Sequence, residues 1–372
     1  MRYYIIAGEA SGDMHAANLM LELRKQDPSA DFRCWGGDRM QDAGGKLVRH
    51  YRDLAFMGFI EVAANLRTIL KNLSFCKEDI VQFKPDAVIL IDYPGFNLRI
   101  AEFAHLKGFK VIYYISPQVW AWKKSRVYNI RRHVDKMMVI LPFEQAFYRK
   151  YDYEVEFVGH PLLDVLDKPS AFPGQNAFRK NHQLSDKPVI AILPGSRKQE
   201  IKRILPVMLE ITGRFNGYEF VIGGAPAVDP AFYKEFTGTR GPKIIFGQSH
   251  ELLRYSYAAL VASGTATLET ALMGTPQVVC YRGSAISFAI ARRLVDVKFI
   301  SLVNLIMDRE IVKELIQGEF NAKNLEKELN NILDKAKQTR IIADYADLKE
   351  KLGGPGASYR AAMAINSLLH AG

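Results

Sequence analysis

The chain has 372 residues, with 50 Lys+Arg against 40 Asp+Glu and a formal net charge of +10. At about 150 residues per domain this length favours two domains. A hydrophobic content of 48%, a charged content of 24% and a mean hydropathy of −0.08 exclude disorder, collagen-like repeats and small disulfide scaffolds.

In chain order, short apolar strands are expected at Tyr3–Ala7, Phe32–Trp35, Ala87–Asp92, Lys110–Ile115, Met137–Leu141 and Glu156–Gly159. Amphipathic helices are expected between them at Met14–Lys25, Glu61–Phe83 and Leu98–Lys107. The run Ala87-Val-Ile-Leu-Ile91 is apolar at every position, as strands covered on both faces are, so a parallel sheet is expected. Residues Asp164–Lys187 hold Pro169, Pro173, Gly174 and several charges, and read as an interdomain connection.

The rhythm then restarts with strand Val189–Leu193 and helix Gln199–Phe215, followed by strands Glu219–Ile222, Lys243–Phe246, Leu260–Ala262 and Gln277–Tyr281. From Arg309 the chain reads as charged helix, interrupted at Gly353-Gly354-Pro355-Gly356. The fold class expected is α/β, with two Rossmann-like doubly wound domains facing across a cleft.

Cys34, Cys76 and Cys280 form no CxxC pair and read as reduced core thiols of a cytosolic protein. No secretory signal and no apolar run of about 18 residues is visible. A pI near 9.3 calls for an anionic partner, whether nucleic acid, a phosphorylated substrate or an acidic membrane surface.

GxGxxG and P-loop patterns are absent, which removes support for a nicotinamide dehydrogenase or a P-loop NTPase. Polar loops instead follow the expected strands, where open α/β sheets bind ligands. Gly8-Glu9-Ala10-Ser11-Gly12-Asp13 opens a helix and suits an anion or hydroxyls, or is a turn in which Ser11 or Asp13 caps the helix. Asp92, ending the most apolar strand before Tyr93-Pro94-Gly95-Phe96-Asn97, suits a general base, or caps a turn.

Pro194-Gly195-Ser196-Arg197 offers a close backbone approach and a guanidinium fork for phosphate oxygens. Ser263-Gly264-Thr265-Ala266-Thr267-Leu268-Glu269 offers small residues and hydroxyls at a helix start, with Glu269 suited to ribose hydroxyls or to the helix dipole alone. Two anion sockets in one half favour a nucleotide diphosphate. Trp120 and Trp122 precede Lys123, Lys124, Arg126, Arg131 and Arg132, suiting a base, a sugar or a lipid phosphate, or only a solvated helix face. His15 and His160 read as structural, and no DxD pair or His/carboxylate cluster suggests a metal site.

In the helix expected at Glu61–Phe83, residues Val62, Leu66, Ile69, Leu70 and Leu73 form one apolar stripe flanked by Arg67 and Lys71. With Phe56, Met57 and Phe59 just upstream, it is a candidate membrane face, the alternative being packing on the chain's own sheet.

Taken in order, these motifs resemble the lipid-A-disaccharide synthase family, inverting glycosyltransferases of the two-domain GT-B fold. The matching segments include Ala7-Gly-Glu-Ala-Ser-Gly-Asp13, Met57-Gly-Phe-Ile-Glu-Val62, Ile91-Asp-Tyr-Pro-Gly-Phe-Asn97 and Ile115-Ser-Pro-Gln-Val-Trp-Ala-Trp122. Leu141-Pro-Phe-Glu144, Phe157-Val-Gly-His-Pro161, Leu193-Pro-Gly-Ser-Arg197 and Ser263–Glu269 continue the match, which thins after Arg309.

The resemblance implies transfer of 2,3-diacylglucosamine from UDP to 2,3-diacylglucosamine 1-phosphate, giving the β-1,6-linked lipid A disaccharide 1-phosphate and UDP, without metal or cofactor. It implies Asp92 as general base and Arg197 on the diphosphate, with Gly195, Ser196, Ser263, Gly264, Thr265, Ala266, Thr267 and Glu269 around the nucleotide. Gly8, Glu9, Ser11, Gly12, Asp13, Asn97, Trp120 and Trp122 fall on the acceptor side, and Leu66, Ile69, Leu70 and Leu73 toward the membrane. Residues 1–165, completed by helices within 341–372, would form the acceptor-side domain, and 186–340 the UDP-sugar domain. The partners implied are the two acylated substrates and the cytoplasmic face of the inner membrane; no nucleic acid is implied, and a homo-oligomer is left open. The alternatives are another GT-B enzyme, such as a hexosaminyltransferase or UDP-GlcNAc epimerase, and remotely a basic nucleic-acid-binding protein.

Overall fold

The computed structural model of the chain describes residues 1–53, 66–121, 124–166, 174–238, 241–284 and 298–370. Two compact units result: Met1–Asp164 with Leu352–Gly372, and Val165–Lys351.

The first unit is built on a seven-stranded sheet in the order β3-β2-β1-β4-β5-β6-β7. Its strands are β1 (Arg2–Ala7), β2 (Asp31–Gly36), β3 (Lys46–His50), β4 (Ala87–Ile91), β5 (Lys110–Tyr114), β6 (Lys136–Val139) and β7 (Glu156–Phe157), and every pairing is parallel. Alternate residues of β1 and β4 serve opposite faces. Tyr4, Ile6, Val88 and Leu90 enter one buried cluster, and Tyr3, Ile5, Ala7, Ala87, Ile89 and Ile91 the other. Both faces are covered, which is why these strands read as unbroken apolar runs.

The chain returns to this unit through helix Ala357–His370, which buries Ala361, Ala362 and Ile365 in the cluster that also holds Ala16, Leu19, Met20 and Leu23 of helix Ala10–Gln26. Asp164 fixes the start of the return helix by accepting from the amides of Gly356 (2.6 Å), Ala357 (3.1 Å) and Ser358 (2.8 Å). A carboxylate on the first amides of a helix satisfies donors that the helix itself cannot pair.

The second unit holds a six-stranded parallel sheet in the order β10-β9-β8-β11-β12-β13. These are β8 (Val189–Leu193), β9 (Glu219–Gly224), β10 (Lys243–Phe246), β11 (Ser256–Ala262), β12 (Gln277–Tyr281) and β13 (Lys313–Ile316). In each sheet the strand order reverses between the unit's first and fourth strands, so the switch points are β1/β4 and β8/β11. Ligands of open α/β sheets bind beyond the carboxyl ends of the strands at that reversal.

Two boundaries differ from the sequence expectation. Residues 341–351, expected with the first unit, belong to helix Lys335–Lys351 of the second. There Ile341, Tyr345 and Leu348 are buried, and Gln277 Nε2 donates to the Tyr345 hydroxyl at 3.3 Å. The stretch expected as a connection contributes helix Gln175–Asn181, whose Phe178 packs in the second core with Val189, Leu252 and Leu253. The strands β3 and β13 were hidden in sequence by their charges. Each is a sheet edge, and edge strands carry polar residues on their open side.

The described part of the stripe expected to face a membrane is divided: Leu73 is core, Ile69 half-buried and Leu70 exposed. In helix Leu66–Phe83, Leu73 is 6% exposed and joins Cys76, Ile80 and Phe83 in the first cluster, and Ile69 packs against it. Leu70 alone of Ile69, Leu70 and Leu73 is open to solvent, at 50%. Arg33 and Tyr4 bind Asp79 of the same helix, further tying it to the sheet. Phe56, Met57, Phe59 and Val62, the motif Met57–Val62 and the side chain of Leu66 lie outside the described residues.

Candidate active site

At the first switch point the loops after β1 and β4 touch. Gly8 ends the approach of β1, and a Cβ placed on it would lie 2.3 Å from Cγ of Tyr93, so only glycine lets the two loops close. Asp92 and Tyr93 both take left-handed backbone, at φ 43° and 49°, immediately before helix Pro94–Leu106. Such a conformation is costly for residues other than glycine and persists only where the surroundings enforce it.

Here they do. The buried amide of Asn97 donates to the carbonyls of Asp92 (2.8 Å) and Ile91 (3.2 Å), and the hydroxyl of Tyr113 on β5 donates to the Asp92 carbonyl at 2.5 Å. The Asp92 amide in turn donates to the carbonyl of Ile115 at 3.2 Å.

The turn leaves Asp92 exposed to solvent. Desolvation, with the carboxylate of Glu9 second, pushes its pKa up to about 7, against the pull of the Tyr93 amide. A solvent-reachable carboxyl that titrates near neutrality is suited to taking a proton from a hydroxyl. Glu9 and Ser11 are exposed beside it at the start of helix Ala10–Gln26, and Gly12 is buried beneath, where a Cβ would meet Ala7 at 3.3 Å.

Several residues expected to touch a ligand work from behind the site. The Asp13 carboxylate accepts from the amides of Gly37 (2.7 Å), Met40 (3.1 Å) and Arg39 (3.2 Å), capping helix Asp38–Asp42 rather than facing outward. Asn97 is wholly buried and spends its amide on the turn. Trp120 is 8% exposed, its ring perpendicular to that of Phe143 at 4.9 Å, so little of it is left for a ligand to stack on.

Glu144 lies beneath that loop and accepts from the amides of Leu141 (2.9 Å) and Ile140 (3.3 Å). Burial pushes its carboxyl up to about 8, against those two amides and the side chains of Trp120 and Ser116. His160 is buried with its pKa lowered to about 3 by desolvation and then by His15, and its Nδ1 accepts from the Leu162 amide. It is a structural histidine. Trp122 and Lys123 lie outside the described residues.

In the second unit both expected loops stand at the β8/β11 reversal, since Leu193 is paired with Val261. Gly195 has φ 116°, and a Cβ on it would lie 2.8 Å from the Glu200 carboxylate. That carboxylate accepts from the Ser196 amide at 3.2 Å and sits 3.7 Å from Arg197, whose side chain is 60% exposed. The loop therefore already holds one anionic oxygen of its own chain. An exposed pair of this kind is worth about 0–1 kcal/mol, so a diphosphate can take over the guanidinium.

After β11, Gly264 caps helix Thr265–Leu272 with open space around its Cα, and Thr265 is exposed. Thr267, expected at the ligand, is fully buried, and its hydroxyl donates to the Gly264 carbonyl at 2.8 Å. Ser263 Oγ reaches the Ile300 carbonyl at 3.4 Å, and Ala266 is half-buried. Glu269 is half-buried and accepts from His250 Nε2 at 3.1 Å.

The sequence alone gives no role to Tyr113, Glu200 or His250, and marks Glu144 only as the end of the matching segment Leu141–Glu144. His250 also carries a usable signal, since it follows Gly247-Gln248-Ser249 in a polar stretch just past the strand that ends at Phe246, at the start of helix Ser249–Arg254. Among the described residues no group of three or more His, Cys, Asp or Glu is placed to hold a metal ion. No helix among them is long and apolar enough to cross a membrane.

The sequence profile of the lipid-A-disaccharide synthetase family matches residues 3–367. A lipid-A-disaccharide synthase of Syntrophus aciditrophicus (strain SB) is 42% identical over 373 residues, covering 98% of this chain and 97% of that protein. The chain belongs to the lipid-A-disaccharide synthase family. The match runs from β1 into the return helix, so it includes both units.

Two solved structures share the fold at low identity. UDP-GlcNAc 2-epimerase from Neisseria meningitidis, bound to UDP-GlcNAc, has a TM-score of 0.66 at 15% identity and covers 100% of both chains. A calicheamicin glycosyltransferase has a TM-score of 0.60 at 16% identity, covering 100% of this chain and 99% of its own. They place this lipid-A-disaccharide synthase family member among two-domain α/β proteins of the GT-B type.

Proposed function

We propose that the protein transfers 2,3-diacylglucosamine from UDP to the 6-hydroxyl of 2,3-diacylglucosamine 1-phosphate, releasing UDP and the β-linked disaccharide. Asp92 takes the proton of the attacking hydroxyl, the acceptor oxygen bonds to the anomeric carbon from the opposite face, and the bond to the diphosphate breaks with inversion. Arg197 and the amides of Gly195, Ser196 and Gly264–Ala266 receive the charge that grows on the departing diphosphate, a role that needs no metal. Glu269 accepts from the ribose hydroxyls. Glu9 and Ser11 border the acceptor and, through the charge of Glu9, keep Asp92 basic enough to act.

The observation that carries this reading is the near-neutral carboxyl on an enforced turn at a switch point, in a chain that matches one transferase family over residues 3–367. A 2-epimerase reading has only the fold in its favour, at 15% identity against 42% for the synthase relative.

Acylated substrates reside in a bilayer, so the protein works attached to the cytoplasmic face of the inner membrane. Exposed Leu70 between Arg67 and Lys71, and exposed Lys124, Arg131 and Arg132, are suited to anionic headgroups at ~1 kcal/mol per close cation. The test is acceptor dependence: UDP should be released from the acylated donor only when the acylated acceptor is present. Equal UDP release without acceptor would overturn the transfer.

A further inference from the structure

We propose that His250 sets the selectivity of the donor site for a ribonucleotide by orienting Glu269. The inference rests on the reading that Glu269 meets the ribose hydroxyls. The two residues come from different elements, His250 from the first turn of helix Ser249–Arg254 beyond β10 and Glu269 from helix Thr265–Leu272 beyond β11. His250 Nε2 lies 3.1 Å from Glu269 Oε2, and the side chains are 25% and 24% exposed, so the pair sits at the surface of the carboxyl edge and not in the core. Packing of the two helices is done by other residues, Leu252 and Leu253 in one and Leu268, Ala271 and Leu272 in the other.

A glutamate on a helix surface samples several rotamers. A vicinal diol presents two O–H donors in a fixed geometry, and a carboxylate meets both well only when its plane is held. The imidazole N–H supplies that restraint from a second element, which makes His250 a positioning residue whose effect is felt at the 2′- and 3′-hydroxyls and not at the diphosphate.

The test is calorimetric affinity of the full chain for UDP and 2′-deoxy-UDP. The wild type should prefer UDP by ~10-fold or more, the worth of one hydrogen bond to a charged group. His250→Ala and His250→Phe, which lack the donor, should bring that preference to within ~3-fold, the scale of a weak hydrogen bond, while leaving 2′-deoxy-UDP affinity nearly unchanged. His250→Gln, which can still donate, should keep most of it.

A preference retained in whichever of the Ala and Phe variants melts like the wild type, with both nucleotides weakened alike, would overturn the inference. Glu269→Ala separates the ribose contact from the role of His250. If it leaves the wild-type preference intact, the ribose reading fails; if it abolishes the preference while the His250 variants do not, only the role of His250 fails.

Discussion

The side-chain amide of Asn97 donates to the main-chain carbonyl of Asp92 at 2.8 Å, from inside the turn that carries the candidate base. The same amide reaches the Ile91 carbonyl at 3.2 Å and, at 3.5 Å, that of Ile6 on the neighbouring strand. One buried side chain thus joins the ends of β1 and β4 and holds two successive left-handed residues in place. Asn97→Ala takes a shared donor away from the Ile91 and Asp92 carbonyls, leaving the latter only the Tyr113 hydroxyl, at a cost of about 1–3 kcal/mol of stability. A larger fall in kcat than in UDP affinity is expected, because the turn that relaxes bears the base. Thermal denaturation alongside steady-state kinetics checks both. Unchanged kcat would show that the turn keeps its shape without the amide.

Asp92→Asn should lower turnover by ~10²–10⁴-fold, the usual worth of a positioned base, with UDP affinity retained. In the wild type, kcat/KM should fall tenfold per pH unit below about 7, where the carboxylate takes up its proton. Stability runs the other way. The folded-state pKa of about 7 exceeds the ordinary 3.8, so the contribution of the protonated form is complete below the unfolded value and is lost as pH rises through 7. Asp92→Asn should therefore gain melting temperature over the wild type at pH 8 and gain little at pH 4. A pH-independent rate would move the base elsewhere.

Arg197→Ala should weaken UDP binding and also slow the chemical step, since the diphosphate gains charge as the glycosidic bond breaks. Arg197→Lys should recover only part of the loss, because an ammonium cannot engage two oxygens in a planar fork. Isothermal calorimetry with UDP gives the first quantity and single-turnover rates the second. Wild-type UDP affinity in the Ala variant would remove Arg197 from the donor site.

Leu73 and Leu70 should separate core from surface on one helix. Leu73→Ser opens a cavity and buries a hydroxyl, costing about 2–5 kcal/mol. Leu70→Ser, at a half-exposed position, should change stability by no more than ~0.5 kcal/mol yet reduce sedimentation with anionic vesicles. Vesicle binding unaffected by Leu70→Ser would direct the search for a membrane contact to the basic Lys124–Arg132 surface.

The parts of the fold that were legible in the sequence are those where one physical cause dominates. Doubly covered strands such as Ala87–Ile91 are apolar throughout, and the loops after β1, β4, β8 and β11 carry glycine and polar residues because the switch points lie there. Strands β3 and β13 were not legible, since charged residues (Lys46 and Arg49 in one, Lys313 and Glu314 in the other) break up their short apolar pattern. Asp13, Asn97, Trp120 and Thr267 share a different difficulty. Their residue types suit a ligand as well as a buried amide or carbonyl, and only the three-dimensional partners decide between the two. Helical periodicity likewise marked the face containing Leu73 without saying what covers it; the sheet does.

The most direct test is to incubate the protein with UDP-diacylglucosamine and diacylglucosamine 1-phosphate, with EDTA present throughout, and to examine the product by mass spectrometry and proton NMR. The account predicts one equivalent of UDP and a disaccharide 1-phosphate whose new anomeric proton has the β configuration. A released monosaccharide, an α linkage, conversion of UDP-GlcNAc to its 2-epimer, or a reaction that requires added magnesium or manganese would contradict it.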